Sequence, residues 1–231
     1  MTALLRFPAV GQRLATVVFI HGLGQTNDSW RSMIEWLARQ LPRVEWVLPQ
    51  ASSRPVAVSA GQLRPSWFNI AALPPGDAEW DEAGVAASAA YIESIIQGEV
   101  QAGADPRRIV VAGFSQGGAL GLLVALTSLH DLGGAASFSG WVPHRGREHI
   151  MHVHTEPTLP VFLGHGRQDT EIPPYYAEES IAFLRDVLRL RNLEVRRYER
   201  LGHAVFGGEM YDFVNWLLRV LHLSPVINGA P

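Results

Sequence analysis

The chain has 231 residues, 47% hydrophobic and 18% charged, and its 19 basic and 22 acidic side chains give a formal net charge of −3. This is a globular composition, long enough to bury a sizeable core; it excludes a disordered chain and offers no basic footprint for nucleic acid or an anionic membrane. Every Lys-or-Arg position is Arg, and there is no Cys, so Schiff-base chemistry, a P-loop lysine, a thiol nucleophile, disulfides and Cys-ligated metals are all excluded.

The first residues, Met1 to Pro8, have no apolar core of a secretory leader and no Gly at position 2 for myristoylation. The longest apolar run, Ala119 to Leu126, contains Gly121 and falls well short of the ~18 residues of a membrane span. With cysteine absent as well, a cytoplasmic protein is expected. No repeat or linker interrupts the sequence, so residues 1–231 are expected to form a single domain.

In chain order, Thr16 to Ile20 reads as a buried strand. Trp30, Met33, Ile34, Leu37 and Leu41 then follow helical spacing, with Asp28 or Ser29 as cap. Val44 to Leu48 is a second strand, Gln50 to Pro65 a loop rich in Ser, Pro and Arg, and Leu73 to Gly84 a second loop. Val85, Ala89, Ile92, Ile96 and Val100 form a helical stripe. Ile109 to Ala112 is a strand that leads into an almost wholly apolar helix from Gln116 to Leu129. Ala135 to Ser139 and Val161 to Gly164 are strands, separated by a His-rich loop from Pro143 to Pro160. A helix carrying Ala177, Ile181, Leu184 and Leu188, a strand from Glu194 to Tyr198 and an amphipathic helix from Met210 to Leu221 complete the chain. Alternation of continuous apolar strands with helices predicts a mostly parallel α/β sheet covered on both faces. Chemistry in such folds collects on loops just after the strands.

After Ile109–Ala112 comes Gly113-Phe114-Ser115-Gln116-Gly117, a G-x-S-x-G between a strand and a helix. That context lifts a Ser hydroxyl above the sheet on a strained turn, beside the positive end of a helix. A Ser nucleophile needs a base, and the base needs an orienting carboxylate. In this arrangement the chain order is nucleophile, acid, base. His203 follows the last strand and is the expected base; His130 and His222 lie at helix ends. Asp169, just past the strand from Val161, is the expected carboxylate, with Glu171 its one serious rival. Asp131, Asp186 and Asp212 fall on helices or helix ends, and Asp105 precedes Pro106 in a turn. His165 is read as shaping the loop before Asp169. The oxyanion hole needs two backbone N–H donors. Gln116, next after the nucleophile, is one, and Leu23 of His21-Gly22-Leu23-Gly24 is the other. His149, His152 and His154 match no metal-ligand spacing, and no dinucleotide or Walker motif is present. The proposed chemistry requires neither metal nor organic cofactor.

The strings His21-Gly22-Leu23-Gly24 with Trp30, Pro65-Ser66-Trp67-Phe68 and Gly113 to Leu120, together with Asp169 and His203, closely resemble the acyl-protein thioesterase and lysophospholipase group, the phospholipase/carboxylesterase family. The resemblance runs from about Thr16 to Leu221. It implies an α/β-hydrolase fold without a large cap domain, and hydrolysis of an acyl ester or thioester substrate (lipid, acylated protein or small ester). It implies a Ser115–Asp169–His203 triad and oxyanion donors at Leu23 and Gln116. It also implies substrate contacts at Trp67, Phe68, Leu73 (within a groove-shaping loop, Ile70 to Pro75) and Trp141. The oligomeric state that it implies is a monomer or a weak homodimer. Gly166-Arg167-Gln168 before Asp169, the apolar segment from Leu201 to Phe206 around His203 and the absence of an N-terminal Cys depart from protein-depalmitoylating members. They keep open the alternative of a small-ester or metabolite hydrolase.

Overall fold

The computed structural model describes residues 4–76, 80–153 and 158–225. Its framework is a seven-stranded sheet: β1 (Leu5–Phe7), β2 (Ala15–Ile20), β3 (Val44–Leu48), β6 (Ile109–Phe114), β7 (Gly134–Phe138), β8 (Val161–Gly166) and β9 (Leu193–Tyr198). The strand order is β1-β3-β2-β6-β7-β8-β9, and the separate ribbon of β4 (Ser53–Val56) and β5 (Gln62–Pro65) is antiparallel. All pairings in the large sheet are parallel except β1 with β3.

Every residue of β2, β6, β7 and β8 is buried, which is why these strands read as continuous apolar runs rather than alternating ones. Successive side chains enter opposite layers. Val17 and Phe19 pack with α1 (Arg31–Gln40) and α6 (Gly207–Val220) on one face. Val18 and Ile20 pack on the other face with α2 (Glu82–Gln101), α3 (Gln116–Thr127), α4 (His144–Val153) and α5 (Pro174–Ala182). A π turn, Phe183–Val187, continues α5.

The register decides where loops emerge. Ile20 pairs with Gly113, Phe114 with Phe138, Phe138 with Gly164 and Gly166 with Tyr198. The loops after β2, β6, β7, β8 and β9 therefore leave from one rim of the sheet.

Several segments differ from the sequence reading, which assigned no strand to β1. Gln50 to Pro65 holds the β4–β5 ribbon; Pro55 and Pro65 argue against a strand, yet both are tolerated because the ribbon has only two strands and each leaves one edge unpaired. The loop expected from Pro143 to Pro160 contains α4, whose buried residues are only Gly146 and Ile150, too sparse a stripe to announce a helix. The first helical segment is capped by Thr26 in place of Asp28 or Ser29. The Thr26 side chain accepts from Ser29 N at the head of a 3₁₀ turn, Asn27–Trp30, and the Ser29 hydroxyl accepts from Thr26 N.

Candidate active site

Ser115 stands between β6 and α3 with φ 54° and ψ −121°. A non-glycine residue in this region stores about 1–3 kcal/mol of strain and persists only when its surroundings hold it. They do: Ser115 N–H donates to Phe138 O of the neighbouring strand at 2.8 Å, and Ala119 N–H donates to Ser115 O at 3.0 Å. The flanking glycines permit the turn by their lack of a side chain. A Cβ on Gly117 would collide with the carbonyls of Ile20 and His21, and one on Gly113 with the backbone of Gly117. The sheet and the start of α3 thus approach at backbone distance, which presents the Ser115 hydroxyl on the rim.

The loops after β8 and β9 are zipped together. Arg167 N–H donates to Tyr198 O and Gln168 N–H to Leu201 O, both at 2.9 Å. This brings Asp169 beside His203. His203 Nδ1 is 2.8 Å from Asp169 Oδ2, and His203 Nε2 is 2.8 Å from Ser115 Oγ. Since a carboxylate only accepts, Nδ1 carries the proton toward Asp169 and Nε2 is left to accept the Ser115 O–H. Asp169 Oδ1 is occupied by Glu171 N–H at 3.0 Å and Ile172 N–H at 2.9 Å. Asp169 is 3% exposed and accepts three N–H groups. The imidazole of His203 also rests on the Phe114 ring, with centroids 4.9 Å apart. His165 lies beneath, its Nε2 donating to Ile172 O at 2.8 Å; burial holds its pKa below the usual histidine range and keeps it neutral. Glu171 occupies the outer side of the imidazole, with Oε2 3.8 Å from Nε2.

A cleft of about 230 Å³ opens over Ser115, lined among others by Leu23, Gln25, Ile70, Leu73, Trp141 and Glu171. In the loop after β2, Gly22 N–H donates to Gln25 Oε1 at 2.9 Å and Gly24 N–H to Pro65 O at 2.8 Å. Between them the Leu23 N–H has no partner among the described residues, and Gln116 N–H belongs to the open first turn of α3. His21 fixes this loop from beneath: Nδ1 donates to Gly22 O at 2.8 Å and Nε2 accepts from Ala51 N–H at 3.1 Å. Burial pushes its pKa down to about 4.

Of the substrate-contact residues expected from the sequence, Leu73 and Trp141 line the cleft and Trp67 and Phe68 do not. Trp67 is 1% exposed, and its indole N–H donates to His21 O at 2.7 Å. Phe68 faces a neighbouring cavity that shares Ile70 and Trp141 with the cleft. The reason is Gln116. Its side-chain Oε1 accepts from Trp67 N–H at 3.0 Å and its Nε2 donates to Phe68 O at 2.6 Å. The two most distinctive strings of the sequence are therefore tied to each other, and the Ser66–Phe68 segment is a buttress behind the site. Sequence reasoning used only the backbone of Gln116 and gave Gln25 and Ile70 no individual role. Adjacency to the Gly22–Gly24 loop was the available signal for Gln25.

His149 and His152 lie on α4, and His154 is outside the described residues. Among the described residues no three His, Asp or Glu side chains converge as metal ligands, and no helix is long and apolar enough to cross a membrane.

The profile of the phospholipase/carboxylesterase family matches residues 9–221. An acyl-protein thioesterase 1 from Yarrowia lipolytica is 35% identical over 215 residues, spanning 92% of this chain and 95% of the relative. The crystal structure of acyl-protein thioesterase 2 from Zea mays superposes with a TM-score of 0.80 at 27% identity, covering 96% of this chain and all of that one (100%). Arabidopsis thaliana SOBER1 superposes with a TM-score of 0.82 at 28% identity, covering 90% and 99%.

Proposed function

Because the chain belongs to the phospholipase/carboxylesterase family, a family of α/β-hydrolases, we propose that it is a serine hydrolase of acyl esters and thioesters in which Ser115, His203 and Asp169 form the catalytic triad. One observation carries the assignment of residues: His203 bridges Ser115 Oγ and Asp169 Oδ2, with 2.8 Å on each side. Ser115 Oγ attacks the acyl carbonyl as Nε2 takes its proton. The negative charge that develops on the carbonyl oxygen is met by the N–H groups of Leu23 and Gln116, at the positive end of α3. Nε2 then returns the proton to the departing alcohol or thiol, and water, activated by the same nitrogen, releases the acid. Asp169 holds the imidazole in the required tautomer and offsets the charge it acquires.

The thioesterases among its relatives extend this reading to fatty-acyl thioesters, with Leu73 and Trp141 as the apolar wall that receives the acyl chain. A hydrolysis panel tests it: p-nitrophenyl esters of increasing length, a palmitoyl-thioester peptide and lysophosphatidylcholine, with Ser115→Ala as control. Turnover of the thioester peptide, absent in the variant, is expected. Turnover of short esters alone would favour the small-ester hydrolase, and activity retained in Ser115→Ala would refute the nucleophile.

A further inference from the structure

Glu171 takes no part in the steps above, yet it stands at their centre. Its backbone N–H is held by Asp169 Oδ1 at 3.0 Å, so its position is fixed by the carboxylate that orients His203. Its side chain turns the other way, to the opposite edge of the imidazole, 3.8 Å from Nε2. Apart from His203 it is, among the described residues, the only ionisable side chain on the wall of the cleft. Several acids elsewhere in the molecule are matched by arginines, as Glu178 is by Arg197 and Glu194 by Arg196 and Arg219. Among the described residues, His203 is the only basic side chain within 4 Å of the Glu171 carboxylate, and His203 must be neutral to accept the Ser115 proton. The negative charge of Glu171 therefore faces the cleft without a fixed counter-charge.

The side of the cleft it serves follows from the chemistry. Nε2 delivers a proton to the leaving oxygen or sulfur, so a group beside Nε2 flanks the leaving group, while the acyl chain runs along Leu73 and Trp141. We propose that Glu171 is a specificity-determining residue that selects esters or thioesters whose leaving alcohol or thiol carries a positive charge close to the scissile bond. The inference rests on the triad reading given above. The attraction is a charge–charge interaction at a half-exposed site, so its size is modest and it is screened by salt.

Two thioesters of the same shape isolate this effect. Butyrylthiocholine carries a quaternary nitrogen where S-(3,3-dimethylbutyl) thiobutyrate carries a carbon, and the chain has no Cys, so released thiol is read directly with a thiol reagent. The measured quantity is the ratio of kcat/KM for the charged to the neutral thioester. In the native enzyme at low salt a ratio of roughly five to ten is expected, falling toward one at about 0.5 M salt. In Glu171→Gln the ratio is expected near one at every salt concentration, and Glu171→Asp is expected to restore part of the preference. The neutral thioester is the internal reference for folding and for the triad. Equal ratios in native enzyme and Glu171→Gln would overturn the proposal, and so would an equal slowing of both thioesters, which would place the carboxylate's effect on the imidazole. A native enzyme that cleaves neither thioester and whose Ser115 resists a fluorophosphonate would instead refute the triad reading, and the inference with it.

Discussion

Asp169 and Glu209 are both buried acids packed at the end of β8, with 3% and 0% of their surface exposed, but their surroundings treat them in opposite ways. Asp169 accepts three N–H groups, one of them from an imidazole. Glu209, in the first turn of α6, lies so close to Gly164 that a Cβ there would strike its Oε1, and neither of its oxygens has a hydrogen-bond partner among the described residues. Burial, with a smaller push from the Asp212 carboxylate, raises its pKa to about 8. Burial alone therefore does not make a functional carboxylate. What differs is the supply of partners: the Asp169 oxygens meet three N–H donors, whereas burial without donors pushes Glu209 toward its protonated form.

The largest effect expected from this contrast is on the Asp169 side. Asp169→Asn keeps an acceptor for the backbone N–H groups but cannot offset the charge of an imidazolium. It should lower kcat about 10³- to 10⁴-fold with little change in the melting curve. A loss smaller than tenfold would erase the distinction between the two acids.

Glu209 should act on stability instead. Its folded pKa of about 8 lies above the ordinary 4.5. Through that window the folded chain keeps a proton that the unfolded chain releases, so this residue makes the native state less stable as pH rises. Glu209→Gln should therefore gain up to a few kcal/mol over the native chain at pH 8 and little at pH 5, with kcat unchanged. Equal destabilisation at both pH values, measured by thermal or urea unfolding, would show that the acid is a structural hydrogen-bonding group.

His21 is the basic counterpart, with the sign reversed. Its folded pKa of about 4 lies below the ordinary 6.5, so the unfolded chain binds the extra proton in this window. The stability contributed is fully present above pH 6.5 and is lost as pH falls toward 4, by roughly 2–3 kcal/mol. His21→Gln should flatten that part of the stability profile; an unchanged acid slope would contradict the buried neutral imidazole. The smallest effect concerns the buttress. Trp67→Phe removes one buried hydrogen bond and should cost about 1 kcal/mol without moving the acyl-chain profile, whereas Leu73→Ala should shift it. A shifted profile in Trp67→Phe would bring that ring into the cleft.

The main strands and helices were legible because two-sided burial writes unbroken apolar runs such as Ala112's neighbours Ile109 to Val111, and because amphipathic helices such as α6 write a 3.6-residue stripe. The G-x-S-x-G turn was legible because its glycines answer a steric need that no other residue meets. The ribbon of β4 and β5 was not: its pairing is a tertiary fact, and its prolines speak locally for a loop. Helix α4 buries only Gly146 and Ile150 and so leaves almost no pattern. At the site, Ser115, Asp169 and His203 were identifiable from their places after strands, but the facing of Trp67 and Phe68 depends on the side chain of Gln116, a contact across 48 and 49 residues. The placing of Glu171 beside Nε2 of His203 likewise had no signature beyond its nearness to Asp169.

The central claim is that His203 makes Ser115 the single activated hydroxyl of the chain. Its most direct test is peptide-resolved mass spectrometry after reaction with a fluorophosphonate. The account predicts one adduct, on the peptide that contains Ser115, absent in Ser115→Ala and formed at least about 10³-fold more slowly in His203→Ala. An adduct on another residue, or an unchanged rate without the imidazole, would contradict it.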